Sequence, residues 1–291
     1  MKRVVFLLII AATLSCGRHD TRSGEKIITV SIAPFRYFVE AIGGNDFTVN
    51  VMVPPGADPH VYEPYPDQVT RLSRSSGYIS DGYLDFEITW LERFYEINST
   101  MKRLSLADSI NLISSSHGRG DNEGGVDPHF WVSPRSGLII ASEIKNFLAG
   151  LNPSRIDIYQ ANYDSLYLKI DSLDKKAERL FSSVSSKAFM IFHPNLTYLA
   201  RDYDLEQIPV EYEGKEPSPS KMKNLIDSGR KYNIKEIFVQ REFDERSAET
   251  IARQLGASLV TIDPLSGDWL HSTSYLINAV YNSLEKSSKQ P

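Results

Sequence analysis

Three histidines in this chain stand beside prolines at the ends of apolar runs: His60 in Asp58-Pro59-His60, His129 in Asp127-Pro128-His129, and His193 in Phe192-His193-Pro194. With only six histidines in 291 residues, a pattern that uses three of them points to chemistry rather than to background composition. His60 and His129 are 69 residues apart, His129 and His193 are 64 apart, and a further 70 lead to Asp263 in Ile262-Asp263-Pro264-Leu265. A proline next to or near each of the four restricts the local backbone. Neutral imidazole and ionised carboxylate are good zinc donors, and three of the first with one of the second make a tetrahedral shell. Each position also has a blander reading. A histidine after a strand often packs or caps, and Asp263 could simply close a turn before Pro264. For His60 the stretch from Val53 to Pro59 is too rigid and too polar to pack into a core.

The elements that must position these residues alternate between strand and helix. Ile27 to Ile32 and Phe47 to Val53 read as strands with a helix, Phe35 to Ile42, between them. A helix near Pro66 to Arg74, a strand at Tyr78-Ile79, a helix around Phe86 to Tyr95 and a strand near Arg103 to Leu106 follow. From Pro153 to Phe181 no glycine or further proline occurs, and Tyr159, Tyr163, Leu166, Ile170, Leu173, Ala177 and Leu180 recur at spacings of four and three. With Asn152 as N-cap and Pro153 as first residue, this is one long helix. Beyond it, strands at Ala188 to Phe192, Gln207 to Val210, Glu236 to Val239 and Ser258 to Ile262 alternate with helices at Leu196 to Tyr203, Ser218 to Tyr232, Glu245 to Leu255 and Tyr275 to Leu284. Such alternation predicts parallel α/β sheets with ligands at their carboxyl edges. The expected organisation is an N-terminal α/β lobe over 27–150, a linking helix over 151–183 and a C-terminal α/β lobe over 184–291. His60 and His129 fall in the first lobe, His193 and Asp263 in the second.

The chain opens with Lys2-Arg3, an apolar run from Val4 to Ala12, and Thr13-Leu14-Ser15-Cys16-Gly17. That order is a secretory signal over 1–15, because the run is shorter than the ~20 residues needed to cross a bilayer. Cys16, the only cysteine, excludes an internal disulfide and a thiolate cluster; its place just after the signal predicts lipidation, with 16–26 as a polar tether, although Thr13 stands where lipoprotein signals usually carry leucine. Losing Lys2 and Arg3 takes the formal charge from −5 to −7, and nothing suggests nucleic acid. The segment from Ser114 to Val126, rich in Ser, Gly and charge, reads as a surface loop in which His117, Asp121 and Glu123 could capture metal weakly. His19 reads as inert, and His271 as a surface or capping residue.

Five motifs in order carry a resemblance: Val53-Pro54-Pro55-Gly56-Ala57-Asp58-Pro59-His60-Val61-Tyr62-Glu63-Pro64, Asp127-Pro128-His129-Phe130-Trp131, Phe192-His193-Pro194 with Tyr198 and Tyr203, Gly214-Lys215-Glu216-Pro217-Ser218-Pro219, and Ile262-Asp263-Pro264-Leu265. From Ile27 to Leu284 the chain resembles the zinc- and manganese-specific solute-binding proteins of ABC transporters. The resemblance implies two lobes joined by a rigid backbone helix, metal in the cleft between them, and His60, His129, His193 and Asp263 as its ligands. It also implies a membrane permease with its ATPase as partner, a monomeric receptor, and a place outside the cytoplasmic membrane. Manganese-selective members tend to carry glutamate at the third position. His193 there favours zinc, with manganese or iron as the alternative. Two departures stand out: the loop lacks the long histidine-rich tract that zinc members often have, and Asn195-Leu196 replaces the usual small and aromatic residues.

Two rival functions differ in class. A zinc hydrolase would need an open water position and a general base such as Glu63 or Glu216, but there is no His-Glu-x-x-His helix and Asp263 would close the shell. A surface adhesin with incidental metal is the third reading. No glycine-rich phosphate loop ending in Gly-Lys-Ser or Gly-Lys-Thr is present, so energy for transport must come from a partner.

Overall fold

A computed structural model describes residues 26–114, 125–211, 217–243 and 246–289. The signal segment, Cys16, His19, His117, Asp121, Glu123 and Gly214 to Glu216 lie outside the described residues.

The first lobe is built on β1 (Ile27–Ile32), β2 (Thr48–Val53), β3 (Ser75–Ser80) and β4 (Lys102–Ser105), all parallel, in spatial order β2-β1-β3-β4. The second is built on β5 (Ala188–Ile191), β6 (Glu206–Pro209), β7 (Glu236–Gln240) and β8 (Ser258–Ile262), again all parallel, in order β6-β5-β7-β8. The two sheets therefore share one winding. In each, the first strand is followed by a neighbour on one side and then by a crossover to the other, which opens a crevice at the carboxyl ends of the strands. Strand β1 is buried along its whole length, as a parallel strand covered on both faces should be. Its two hydroxyls are satisfied inside the sheet: Thr29 Oγ1 lies 2.6 Å from Ser75 Oγ, and Ser31 Oγ bonds Tyr78 and Glu87.

Helix α1 (Ala33–Gly43) starts directly after β1 with Pro34 in its first turn and stops at Gly44, whose φ of 57° favours glycine. Helices α2 (Pro66–Leu72) and α3 (Asp85–Ile97) complete the crossovers of the first lobe. An eighteen-residue helix, α4 (Pro134–Leu151), has no counterpart in the sequence reading. Its start is nonetheless written in the chain: Ser133 Oγ accepts from the amide of Arg135, and Pro134 opens the first turn, the same device as Ser218-Pro219. Ile140, Ala141, Ile144 and Leu148 make its buried stripe.

The linking helix is also shorter than the sequence suggests. Pro153–Arg155 form a 3-10 turn, and α5 (Ile156–Ser183) follows with 28 residues, about 42 Å at ~1.5 Å per residue. Asn152 closes α4 rather than opening α5: its amide bonds Leu148 O and its Nδ2 donates to Tyr159 Oη at 3.1 Å. The rest is α6 (Thr197–Asp202), α7 (Pro219–Lys231), α8 (Arg246–Leu255) and α9 (Trp269–Ser288), the last beginning six residues before the expected Tyr275.

One hydrophobic cluster runs without a break from Ile28, Val30 and Phe35 of the first lobe through Ile140, Ile144, Leu166 and Ile170 to Phe189, Ile191, Leu276 and Val280 of the second. A smaller one, around Met190, Ile237, Val239 and Ile251, lies on the other face of the second sheet. Two tryptophans bolt the lobes together: Trp131 Nε1 donates to Pro264 O at 2.9 Å, and Trp269 Nε1 donates to Trp131 O at 2.6 Å. Both indoles are fully buried. Opening the cleft far enough to wet them would cost up to roughly 4–6 kcal/mol each, from ~150–250 Å² at ~25 cal/mol per Å². Stiffness that the sequence assigns to the helix alone thus rests on a shared core.

Candidate metal centre

His60, His129 and His193 meet at the carboxyl ends of the two sheets. His60 closes the loop after β2. Gly56 turns that loop with φ 81°, and Asp58 Oδ1 accepts the backbone N–H of His60 at 2.8 Å. His129 repeats the arrangement, with Asp127 Oδ1 accepting its N–H at 2.9 Å. The doubled Asp-Pro-His is therefore a backbone device: the carboxylate caps the amide two residues on, and the intervening proline holds the turn. His193 follows β5 immediately. Gln240, at the end of β7, clamps its backbone from both sides, with Oε1 accepting from His193 N at 3.2 Å and Nε2 donating to His193 O at 2.6 Å. Asn195 Oδ1 in turn accepts from Gln240 Nε2 at 2.8 Å, so this unusual residue supports the clamp.

Each imidazole has one nitrogen facing a carboxylate. His60 Nδ1 lies 2.9 Å from Asp85 Oδ2, His129 Nδ1 lies 2.8 Å from Asp127 Oδ1, and His193 Nδ1 lies 3.4 Å from Glu211 Oε1. A carboxylate accepts, so each Nδ1 carries the proton and each Nε2 keeps a bare lone pair. Those lone pairs converge. His60 Nε2 and His193 Nε2 are 3.3 Å apart, and His193 Nε2 and His129 Nε2 are 3.4 Å apart. A tetrahedral zinc with Zn–N of about 2.05 Å requires an N···N edge of about 3.3 Å. The two edges at His193 match that value, all three nitrogens lie within 4.8 Å of one another, and lone pairs so close repel unless a cation lies between them. The carboxylate behind each ring is the support that metal-binding histidines use to fix tautomer and orientation.

Electrostatics separate the three rings. Burial pulls the His60 pKa down, but the Asp85 hydrogen bond and the charges of Asp58 and Asp85 outweigh it, and the net shift is upward. Burial drives His193 down to about 4, helped by the neighbouring His129 and His60 and opposed by Glu211. Asp127 is buried, which works against its charge, yet His129 holds it below the ordinary carboxylate value.

The rings line a cavity of about 10 Å³ together with Pro59, Trp131, Asn195, Glu242, Phe243 and Leu265. That is room for one atom-sized occupant rather than an organic molecule. Phe243 stacks on His193 with centroids 4.7 Å apart and planes 22° from parallel. Asp263, expected as the fourth donor, does not join the three nitrogens, which lie within 4.8 Å of one another. Its Oδ2 faces Arg241 Nη1 at 3.4 Å, its carbonyl accepts from Ser272 Oγ at 2.5 Å, and its neighbour Leu265 reaches the cavity instead. Glu63 is exposed and outside the cavity lining, and His271 is an exposed residue of the first turn of α9 whose amide donates to Asp268. Sequence reasoning missed Asp85, Glu211 and Glu242, because none carries a local signal tying it to a histidine far away in the chain.

The family profile described as zinc-uptake complex component A, periplasmic (ZnuA), matches residues 28–284. The chain belongs to the ZnuA family. A solved ZnuA structure, of a deletion mutant with zinc bound, is 36% identical, superposes with a TM-score of 0.84 and covers 92% of this chain and 100% of its own. The zinc-binding protein AdcA of Streptococcus pyogenes is 23% identical over 92% of this chain, which spans only 57% of AdcA's length. The manganese ABC transporter substrate-binding lipoprotein PsaA of Streptococcus anginosus is 25% identical over 96% of this chain and 94% of its own. The two-lobe α/β architecture is thus that of the ZnuA family, and the histidines described above sit where its lobes meet.

Proposed function

We propose that this ZnuA-family protein is an extracytoplasmic receptor that captures zinc between its lobes and delivers it to the permease of an ABC transporter, whose ATPase supplies the energy. The single observation that carries the reading is the convergence of three imidazole nitrogens within 4.8 Å of one another, with His193 Nε2 at 3.3 and 3.4 Å from the other two and each ring backed by a carboxylate. His60, His129 and His193 are its metal ligands, and the fourth position falls to a carboxylate of the C-terminal lobe. Asp263 is the sequence's candidate for that position and would have to leave Arg241 to take it. Nitrogen donors of this number favour zinc over the harder manganese ion, although the likeness to PsaA keeps manganese as the second reading. The receptor acts as a monomer, tethered through a lipid on Cys16. A receptor suits the site better than a hydrolase, because Glu63 is away from the cavity and the cavity has no room for a substrate.

The test is metal analysis and zinc titration of the purified protein, with competing manganese, for wild type, His129→Ala and His193→Glu. One zinc per chain, loss of tight binding in His129→Ala and a shift toward manganese in His193→Glu are expected. Equal binding by all three proteins would refute the site, and retention in the soluble fraction by Cys16→Ser and wild type alike would refute the tether.

A further inference from the structure

The loop after β7 carries a carboxylate that nothing so far has used. Gln240 clamps His193, Arg241 pairs with Asp263, and Phe243 stacks on His193 while its amide bonds Gln240 O at 3.2 Å. Between these fixed points stands Glu242. It lines the cavity of the three imidazoles, and its Oε2 is buried without a hydrogen-bond partner among the described residues. Native proteins rarely leave such an oxygen unpaired, and when they do the group usually has another role.

Two acidic side chains of the same lobe thus compete for the oxygen position. Neither is within the 4.8 Å group formed by the three nitrogens, so either must swing inward when metal enters. For Asp263 that movement breaks the contact with Arg241. For Glu242 Oε2 it breaks no hydrogen bond and relieves an unpaired buried oxygen. The turn that holds Glu242 is also tied to His193 at both of its ends, so the donor and the third histidine are positioned as one unit.

We propose that Glu242 supplies the oxygen donor to a metal held by His60, His129 and His193, and that Asp263, through Arg241, is the partner that steadies this turn. The proposal rests on the histidine site described above. It makes the third-strand loop of the second lobe, rather than the fourth-strand loop, the source of the last ligand.

The experiment compares wild type, Glu242→Gln, Asp263→Asn and His129→Ala as full mature chains. Zinc affinity is measured by chelator competition, the visible spectrum by cobalt substitution, and the thermal midpoint on metal-free protein. Glu242→Gln should weaken zinc roughly tenfold or more and alter the cobalt bands, because a carboxylate is lost from the metal. Its metal-free midpoint should be at or above that of wild type, since it removes an unpaired buried carboxylate. Asp263→Asn should weaken zinc less than about threefold and leave the cobalt bands in place. Wild-type affinity in Glu242→Gln, a larger loss in Asp263→Asn, or a fall in metal-free stability that parallels the loss of affinity in Glu242→Gln would each overturn the proposal. If His129→Ala binds zinc as wild type does, the histidine site itself fails and the proposal falls with it.

Discussion

Replacing the three carboxylates behind the imidazoles should cost zinc affinity in an order read directly from geometry and burial. Asp127 is the tightest partner: its Oδ1 lies 2.8 Å from His129 Nδ1, and its side chain is 10% exposed. The same oxygen accepts the backbone N–H of His129 at 2.9 Å, so Asp127→Asn should keep its carbonyl oxygen facing the ring and preserve the tautomer. What it removes is charge. The neutral amide makes His129 Nε2 a weaker donor, and losses for such supporting residues run to about 10–100-fold, or about 1.4–2.7 kcal/mol. Asp85 makes a comparable contact at 2.9 Å, but its side chain is 35% exposed and solvent screens it, so Asp85→Asn should stay near the lower bound. Glu211 is buried but stands 3.4 Å from His193 Nδ1, beyond a good hydrogen bond, so Glu211→Gln should cost least, about threefold or below. Chelator competition on the three variants at one pH, with metal-free thermal midpoints as controls, measures the series. Equal losses, or a reversed order, would show that the carboxylates do not act through ring orientation and basicity.

Protons should compete with zinc unevenly. His60, with its raised pKa, surrenders its lone pair as pH falls through a value above 6.5, whereas His193 stays neutral to about 4. Between pH 5 and 7 the metal-free protein should therefore show the His60 ring taking up a proton while the His193 ring stays neutral; an NMR titration in which His193 protonates within that range would refute this. In metal-free protein the sign for His193 is also defined. The unfolded chain takes that proton first, so stability falls as pH drops from 6.5 toward 4, by about 3 kcal/mol for this group and partly offset by His60. Gly137→Ala tests the interlobe bolt: an added Cβ would stand 2.5 Å from Trp269 Cη2, and overpacking of this kind costs about 1–3 kcal/mol. The thermal midpoint should fall and zinc affinity with it, since His60 and His129 must meet His193 across that contact; a lowered midpoint with unchanged affinity would separate the bolt from the site.

Much of the fold was legible because parallel α/β strands are short apolar runs punctuated by helices, and that rhythm survives in the residue order. The seven-residue and eleven-residue elements of the first lobe and the strands of the second fall close to their expected positions. Helix α4 is the exception: Ser133-Pro134 marks its start, but its buried stripe of Ile140, Ala141, Ile144 and Leu148 is short and is set by packing against its neighbours. Asn152, which the sequence offers as the N-cap of the long helix, is the C-cap of α4. An asparagine beside a proline signals a helix boundary without saying on which side the longer helix lies, and only the packing of Tyr159 against Asn152 resolves it.

At the site, the sequence by itself determined the placement of the histidines that is locally encoded. Asp-Pro-His carries its own turn, with the aspartate capping the histidine amide, and Phe-His-Pro places a histidine at a strand end. Those are interactions over two or three residues, and they need no fold to be read. What only the tertiary structure decided are the partners separated by long stretches of chain: Asp85 behind His60, Glu211 behind His193, Gln240 around its backbone, and the choice between Glu242 and Asp263 facing the cavity. No spacing encodes these, because they follow from how two similarly wound sheets bring the loops after β2, β4, β5 and β7 to one point. There Leu265 lines the cavity while Asp263 faces Arg241, a distinction that only the assembled loops make.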